Sequence, residues 1–324
     1  MNTIKLMIVC LGVMLGATVS AQTVSMIPNW AVGDAVSYSF EQTDIKKADD
    51  DSSVDTKSMV LNLKVVDKNN DGYVINTTYQ NPTSTDDMEQ AMFKICENLS
   101  FDYKTDNSGK VIGLADSAKV VSDIKSRIEQ VDKSDSTMAS FVFMLQLAGA
   151  MMNDDMYLSG LLDKVGYIHS LNGLTLKSKK SIDRSTERAT MFGFSAPITT
   201  HYTLKSAKGG FAQVKATSNA GNDVLLPAFL NFSMEMAQGV MTGMSGLFQD
   251  EKEDADMDQI MEQQRLELEN KFKENFDLVI TDEFKYSYDQ SSQWISSMSG
   301  TTLVKGKVNG SNVEATIQIN LEKK

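Results

Sequence analysis

Residues 67–72, Asp-Lys-Asn-Asn-Asp-Gly, carry the spacing that most directly suggests chemistry in this chain. Counted from Asp67, oxygen-bearing side chains stand at positions 1, 3 and 5, glycine at 6 and the aliphatic Val74 at 8, as in the first half of an EF-hand calcium loop. Position 12 is Thr78, which cannot supply the bidentate carboxylate that such a loop needs. Both flanks alternate with a period of two, and Asn, Asp and Gly are what a tight turn requires for positive φ. A hairpin between Met59–Val66 and Tyr73–Tyr79 is therefore expected, with a weak extracellular cation site at Asp67–Asp71 as the lesser alternative.

The remaining patterns point away from catalysis. The two histidines, His169 and His201, have no His or Cys at metal-ligand spacing, and no H-E-x-x-H or G-x-S-x-G pattern occurs. His169 precedes a strand-like run at a helix-to-strand junction, and His201 alternates with Thr199 and Thr203, so both read as packing or surface residues. Ser122-x-x-Lys125 has the spacing of serine acyltransferases but lacks their partner motifs. Glycoside hydrolysis needs two carboxyls converging in an aromatic cleft. The two tryptophans, Trp30 and Trp294, and carboxylates gathered in turns do not suggest one. Gly239-x-x-x-Gly243-x-x-Gly246 lies inside a helical apolar run, which marks close helix packing rather than a phosphate loop. No residue is assigned a catalytic or metal-binding role, and no cofactor is expected.

Methionine is the unusual feature. The chain has 20, clustered at Met138, Met144, Met151, Met152 and Met156 and again at Met234, Met236, Met241, Met244, Met257 and Met261. Methionine is unbranched and polarizable, so it suits adaptable apolar surfaces as well as core filling. If these helices roof an open sheet, an apolar ligand would meet Phe141, Met144, Leu145, Phe229, Phe232, Met236 and Met241.

The elements that would position these residues follow from periodicity. Val36–Phe40, Met59–Val65 and Tyr73–Tyr79 alternate as half-buried strands, with Lys46–Asp55 expected as a long solvated turn. Met88, Met92, Ile95 and Leu99 have helical spacing. A short strand pair follows around Leu99–Leu114, turned at Asp106–Gly109. The segment Asp116–Val131 predicts a second helix, and the uncharged run Met138–Met152 a third. Strands return at Leu174–Leu176, Ile198–Leu204 and Ala212–Ala216, the last two turned at Gly209-Gly210. Val224–Phe248 and a stretch striped by Met257, Met261, Leu268, Phe272 and Phe276 are helical. Phe284–Tyr288, Leu303–Val308 and Val313–Leu321 end the chain as strands, the last with one buried and one wet face.

These elements predict an α+β fold: a curved antiparallel, half-barrel-like sheet with two helical insertions covering one face. Because both termini supply strands, residues 22–324 are expected to form a single discontinuous domain. Its strand-rich parts are 30–82, 166–218 and 277–324, and the insertions are 84–165 and 223–276.

Met1–Ala21 reads as a signal peptide. Its apolar run, Leu6–Ala17, is too short to span a bilayer, and Val19-Ser20-Ala21 provides small residues for cleavage before Gln22. The protein is thus expected in the periplasm or outside the cell, without a transmembrane segment in its mature form. Cys96 then remains as a lone cysteine, which excludes a disulfide scaffold. The net charge of −12, without a basic stripe, argues against nucleic acid and anionic membrane surfaces.

An exported chain of antiparallel strands with helices inserted across one face resembles the half-open β-barrel of periplasmic lipoprotein carriers and related lipid-binding envelope proteins. The leader and the Asn/Asp-rich turns resemble those of uncharacterised secreted proteins of Bacteroides-type bacteria. The resemblance implies a half-barrel and a lipid or acyl-chain ligand and assigns no residues. The leading expectation is a non-enzymatic envelope protein with a hydrophobic ligand. A structural or protein-interaction module is the alternative, and an unrecognised hydrolase the third.

Overall fold

A computed structural model describes residues 22–49, 51–131, 139, 142, 154–245, 276–308 and 310–324. It is α+β, with a large curved, open antiparallel sheet whose inner face is covered by helices. The first half contributes β2 (Ala35–Ala48), β3 (Asp51–Lys68), β4 (Gly72–Ser84), β5 (Ser100–Asp106) and β6 (Val111–Leu114). The second contributes β8 (Ser181–Ala189), β9 (Ser195–Lys208), β10 (Phe211–Ala220), β11 (Asp277–Asp289), β12 (Trp294–Val308) and β13 (Ser311–Lys323). Each set is a meander, and the two join where β13 pairs with β2, so the order is β6-β5-β4-β3-β2-β13-β12-β11-β10-β9-β8. A separate two-stranded ribbon joins β1 (Thr23–Ser25) to β7 (Thr175–Lys177).

The helices are α1 (Asp87–Cys96), α2 (Ser117–Gln130), α3 (Asp154–His169) and α4 (Asn222–Ser245). Asp86 and Asp116 start the first two, each accepting a hydrogen bond from a backbone N–H three residues on, which satisfies a donor that the first turn leaves orphaned. α1 buries Ala91, Phe93, Ile95 and Cys96, and α2 buries Val120, Val121, Ile124 and Ile128. Both are amphipathic: α1 lies on β4, and α2 packs on α1 and α3.

The calcium-like segment is a hairpin turn. Asn69 Oδ1 accepts from the N–H of Asp71 at 2.8 Å and of Gly72 at 3.2 Å, and β3 pairs with β4 from Lys68 against Tyr73. The expected acidic turn at Lys46–Asp55 is corrected: β2 and β3 continue in register through Asp44–Asp55 and Ala48–Asp51. Backbone pairing needs no apolar alternation, and β13 on the far side of β2 keeps this polar ribbon inside the sheet. Residues Ser181–Ala189, inside the strand-rich stretch 166–218 but without apolar alternation of their own, form β8, and α3 continues to His169. The expected helix Met138–Met152 lies outside the described residues except for Ala139 and Val142, both helical, with Val142 buried. The stretch striped from Met257 also lies outside them until Phe276, which is buried.

Arg188 shows how strongly the sheet curls. It lies on edge strand β8 yet bonds Asp282 on β11. Three strand spacings amount to roughly 14 Å along a flat sheet, beyond the reach of an arginine, so this edge must bend inward. Register shifts in β10 and β11 assist the bend. At Gly300 any Cβ would collide with the Phe284 ring, so the glycine lets that ring lie flat across β12.

Candidate functional site

The inner face of the sheet is not one apolar floor. A row of paired residues crosses it, one per strand: Arg184, Thr200, Ser218, Asp282, Thr302, Ile317, Asp44 and Asp55. All but Ile317 are polar, and Thr200, Ser218, Asp282, Thr302 and Asp44 are buried. On one side of this belt Tyr202, Ala216, Phe284, Met298 and Ile319 belong to the large core under α1–α3. On the other, Ile198, Ala220, Ile280, Val304 and Ala315 belong to a smaller core under α4. The belt is the boundary between them.

Asp282 is its centre. The carboxylate accepts from Ser218 Oγ, from Thr302 Oγ1 at 2.6 Å and from both terminal nitrogens of Arg188, at 2.6 and 3.4 Å. With 1 % of its side chain exposed, such a charge is tolerable only because every lone pair has a donor. Farther along, Lys57 bridges Asp44 at 3.3 Å and Glu89 of α1 at 2.8 Å, so the belt also anchors a helix. Burial pulls the Lys57 ammonium down, but Glu89 and Asp44 together hold it above its ordinary range.

A cleft of about 380 Å³ opens over the belt at the gap between the two sheet edges. Lys110 and Val111 border it from the β6 side, Arg184 and residues 186–189 from β8, and Leu162, Asp163, Gly166, Tyr167 and His169 from α3. Its floor includes Ala216, Asp282, Phe284 and Tyr286. Burial pushes the Tyr167 phenol up to about 12, so at neutral pH it faces the cleft as a neutral hydroxyl. Burial likewise raises the Asp163 carboxyl above its usual range.

His169 borders the same cleft but is fully committed. Nδ1 donates to the Gly109 carbonyl at 2.9 Å, and Nε2 accepts from the Tyr103 hydroxyl at 2.7 Å. Burial holds the imidazole down at about 4, against the opposing pull of the Gly109 bond. Trp30, stacked on Trp294 at 4.0 Å, packs edge-on against it. The packing role expected for His169 is what the fold gives it. His201 lies on the outer face, 2.6 Å from Asp183. Ser122 and Lys125 are exposed on α2, with no hydrogen bond between them among the described residues.

Four of the seven expected ligand-binding residues lie on α4. Phe229 and Phe232 lie on α4 over the smaller core, where Phe229 stacks on Phe276 at 5.2 Å and meets Phe194 edge-on at 5.6 Å. Met236 and Met241 are in α4, whereas Phe141, Met144 and Leu145 lie outside the described residues. Phe229 and Phe232 are not among the residues lining the cleft. The cleft residues went unread because β8 has no apolar alternation. A signal was present: Ile182, Arg184, Thr186 and Arg188 stand at period two, and they are the half-buried positions of that strand.

No family model matches the chain, and no curated protein matches it in sequence. Among solved structures it is similar to a chain from a study of lipid–protein interactions in lipovitellin, at 10% identity and a TM-score of 0.45 over 91% of this chain. The match spans only 25% of that lipovitellin chain. It also matches Ail, the attachment invasion locus protein of Yersinia pestis, at 5% identity and a TM-score of 0.16, over 91% of this chain and all of Ail. Ail in complex with the heparin analogue sucrose octasulfate matches at 4% identity with the same TM-score and coverage.

Proposed function

We propose that this chain is an exported, non-catalytic binding protein for an amphipathic ligand of the acyl-chain class, held between α3 and the open edge of the sheet. The observation that carries this reading is the cleft itself. It joins an apolar and aromatic wall (Leu162, Ala216, Phe284) to a charged rim, on which Arg184 has no ion-pair partner among the described residues, within one opening of about 380 Å³. That volume and mixture suit a small amphiphile. A non-catalytic role is supported by the state of its polar groups. Asp282 has its oxygens occupied and both His169 nitrogens are engaged, so neither is free to move a proton.

The test is a native mass spectrum of the protein purified from an envelope fraction, followed by titration with a fluorescent acyl probe. A retained lipid mass and saturable probe binding are the expected results. Ala189→Trp, an exposed position on the cleft wall, should abolish probe binding without changing the melting temperature. No retained lipid and no probe binding would overturn the reading in favour of an interaction module. Export is checked separately by N-terminal sequencing, which should begin at Gln22.

A further inference from the structure

Three cations border the cleft, and only one is neutralised. Arg188 is paired with Asp282. Arg184 donates from Nη1 to the Ser170 carbonyl at 3.3 Å and from Nη2 to the Asn172 carbonyl at 2.8 Å. Among the described residues no carboxylate pairs with it. Two of its five donors are therefore used, and its charge is uncompensated. Lys110 stands exposed on the opposite lip, bonded through its backbone N–H to Asp106. Two carboxylates also line the cleft, Glu187 on β8 and Asp163 on α3, and neither forms an ion pair with Arg184 among the described residues.

A half-buried guanidinium with spare N–H groups favours a planar anion, because its fork matches a carboxylate and charge-assisted bonds are about twice as strong as neutral ones. Leu162 and Phe284 continue from this point as apolar wall. At roughly 30 Å³ for each water-sized group, the cleft holds about a dozen such groups, enough for one chain rather than two. We infer that the ligand is a single-chain fatty acid, its carboxylate on Arg184 with Lys110 at the rim and its tail along Leu162 and Phe284. This rests on the cleft being the binding site, and it names the head group.

The experiment displaces 11-(dansylamino)undecanoic acid from the mature chain with three competitors of equal tail length: dodecanoate, dodecanol and dodecyltrimethylammonium. Dodecanoate should compete about tenfold or more better than either of the others. Arg184→Gln should remove most of that preference while leaving dodecanol unchanged. A melting curve accompanies it, because Arg184 also ties down Ser170 and Asn172. Lys110→Gln, at an exposed position, should weaken dodecanoate about threefold with no change in melting. Equal competition by dodecanol, or an unchanged preference in Arg184→Gln, would overturn the carboxylate assignment and leave the cleft reading standing. Failure of the probe and all three competitors to bind would overturn both.

Discussion

The two cores on the inner face of this sheet share strands β9–β13 and differ in what their helices leave open. Under α4, Phe229, Phe194 and Phe276 pack ring against ring on Ile280 and Val304. Under α3, a comparable apolar floor is bordered by arginines and phenols, and a cleft remains. The difference lies at the sheet edge. β8 alternates charged and polar residues where its neighbour β9 alternates Ile198, Thr200, Tyr202 and Leu204. An edge that presents Arg184 and Arg188 inward cannot be sealed by an apolar helix without burying unpaired charge. The belt at Asp282 resolves this for Arg188 and leaves Arg184 for something else.

The sharpest way to break the division is to remove its centre. Asp282→Ala strands Arg188 and two hydroxyls at the boundary and should cost about 3–5 kcal/mol of unfolding free energy, read by urea denaturation. Replacing Arg188 as well, as in Asp282→Leu with Arg188→Met, should restore much of that loss by joining the two cores into one apolar floor. If the double variant is no more stable than Asp282→Ala, the belt does more than satisfy a charge.

His169 distinguishes the cores by pH, since it belongs to the α1–α3 side. Its folded pKa of about 4 lies below the ordinary 6.5, so between these values the unfolded chain binds a proton that the folded one does not. Its contribution is fully present above pH 6.5 and is lost as pH falls toward 4, amounting to about 3 kcal/mol over that window. Urea titrations at pH 7 and 4.5 should show this excess loss in the parent. His169→Gln should lack it, because the carboxylates are common to both and cancel in the difference. An equal acid sensitivity in the variant would remove His169 from the account.

These contrasts also mark what could be read from the sequence. The hairpins at Asn69–Gly72, Asp106–Gly109 and Gly209-Gly210 were legible because turn chemistry is local, and Val313–Leu321 because one face alternates cleanly. The β2–β3 tip was not, since its pairing comes from β13 at the other end of the chain. The belt was illegible for the same reason. Ser218, Asp282 and Thr302 each interrupt an otherwise apolar set on their strands, but only the register shows that the interruptions meet. The methionine-rich run of α4 is conspicuous as one continuous segment, whereas the cleft is assembled from β6, α3 and β8, each contributing a few residues with no common motif.

Phe229→Ala isolates the α4 core. Phe229 is half-buried between Phe194 and Phe276, so truncation should cost about 2 kcal/mol, below the range for a fully enclosed ring. Acyl-probe affinity at the cleft should stay unchanged. A loss of probe binding equal to the loss of stability would move the ligand to the helix that carries Phe229, Phe232, Met236 and Met241.

The smallest effect is expected at Cys96, and it asks whether the two cores open separately. Cys96 ends α1, buried, its thiol pushed up by burial to about 11. At pH 8 it is both hidden and almost wholly protonated, so alkylation must wait for α1 to lift from β4. Following the Cys96 peptide by mass, Phe229→Ala should change the alkylation rate less than twofold, because α4 contacts β9, β10 and β11 at the far side of the belt. His169→Gln, on the near side, should raise the rate, since α3 packs on α2 and α2 on α1. If Phe229→Ala instead speeds alkylation by the full factor of its stability loss, then α1 does not open until the whole sheet does. The polar belt would then divide the chemistry of the inner face without dividing its unfolding.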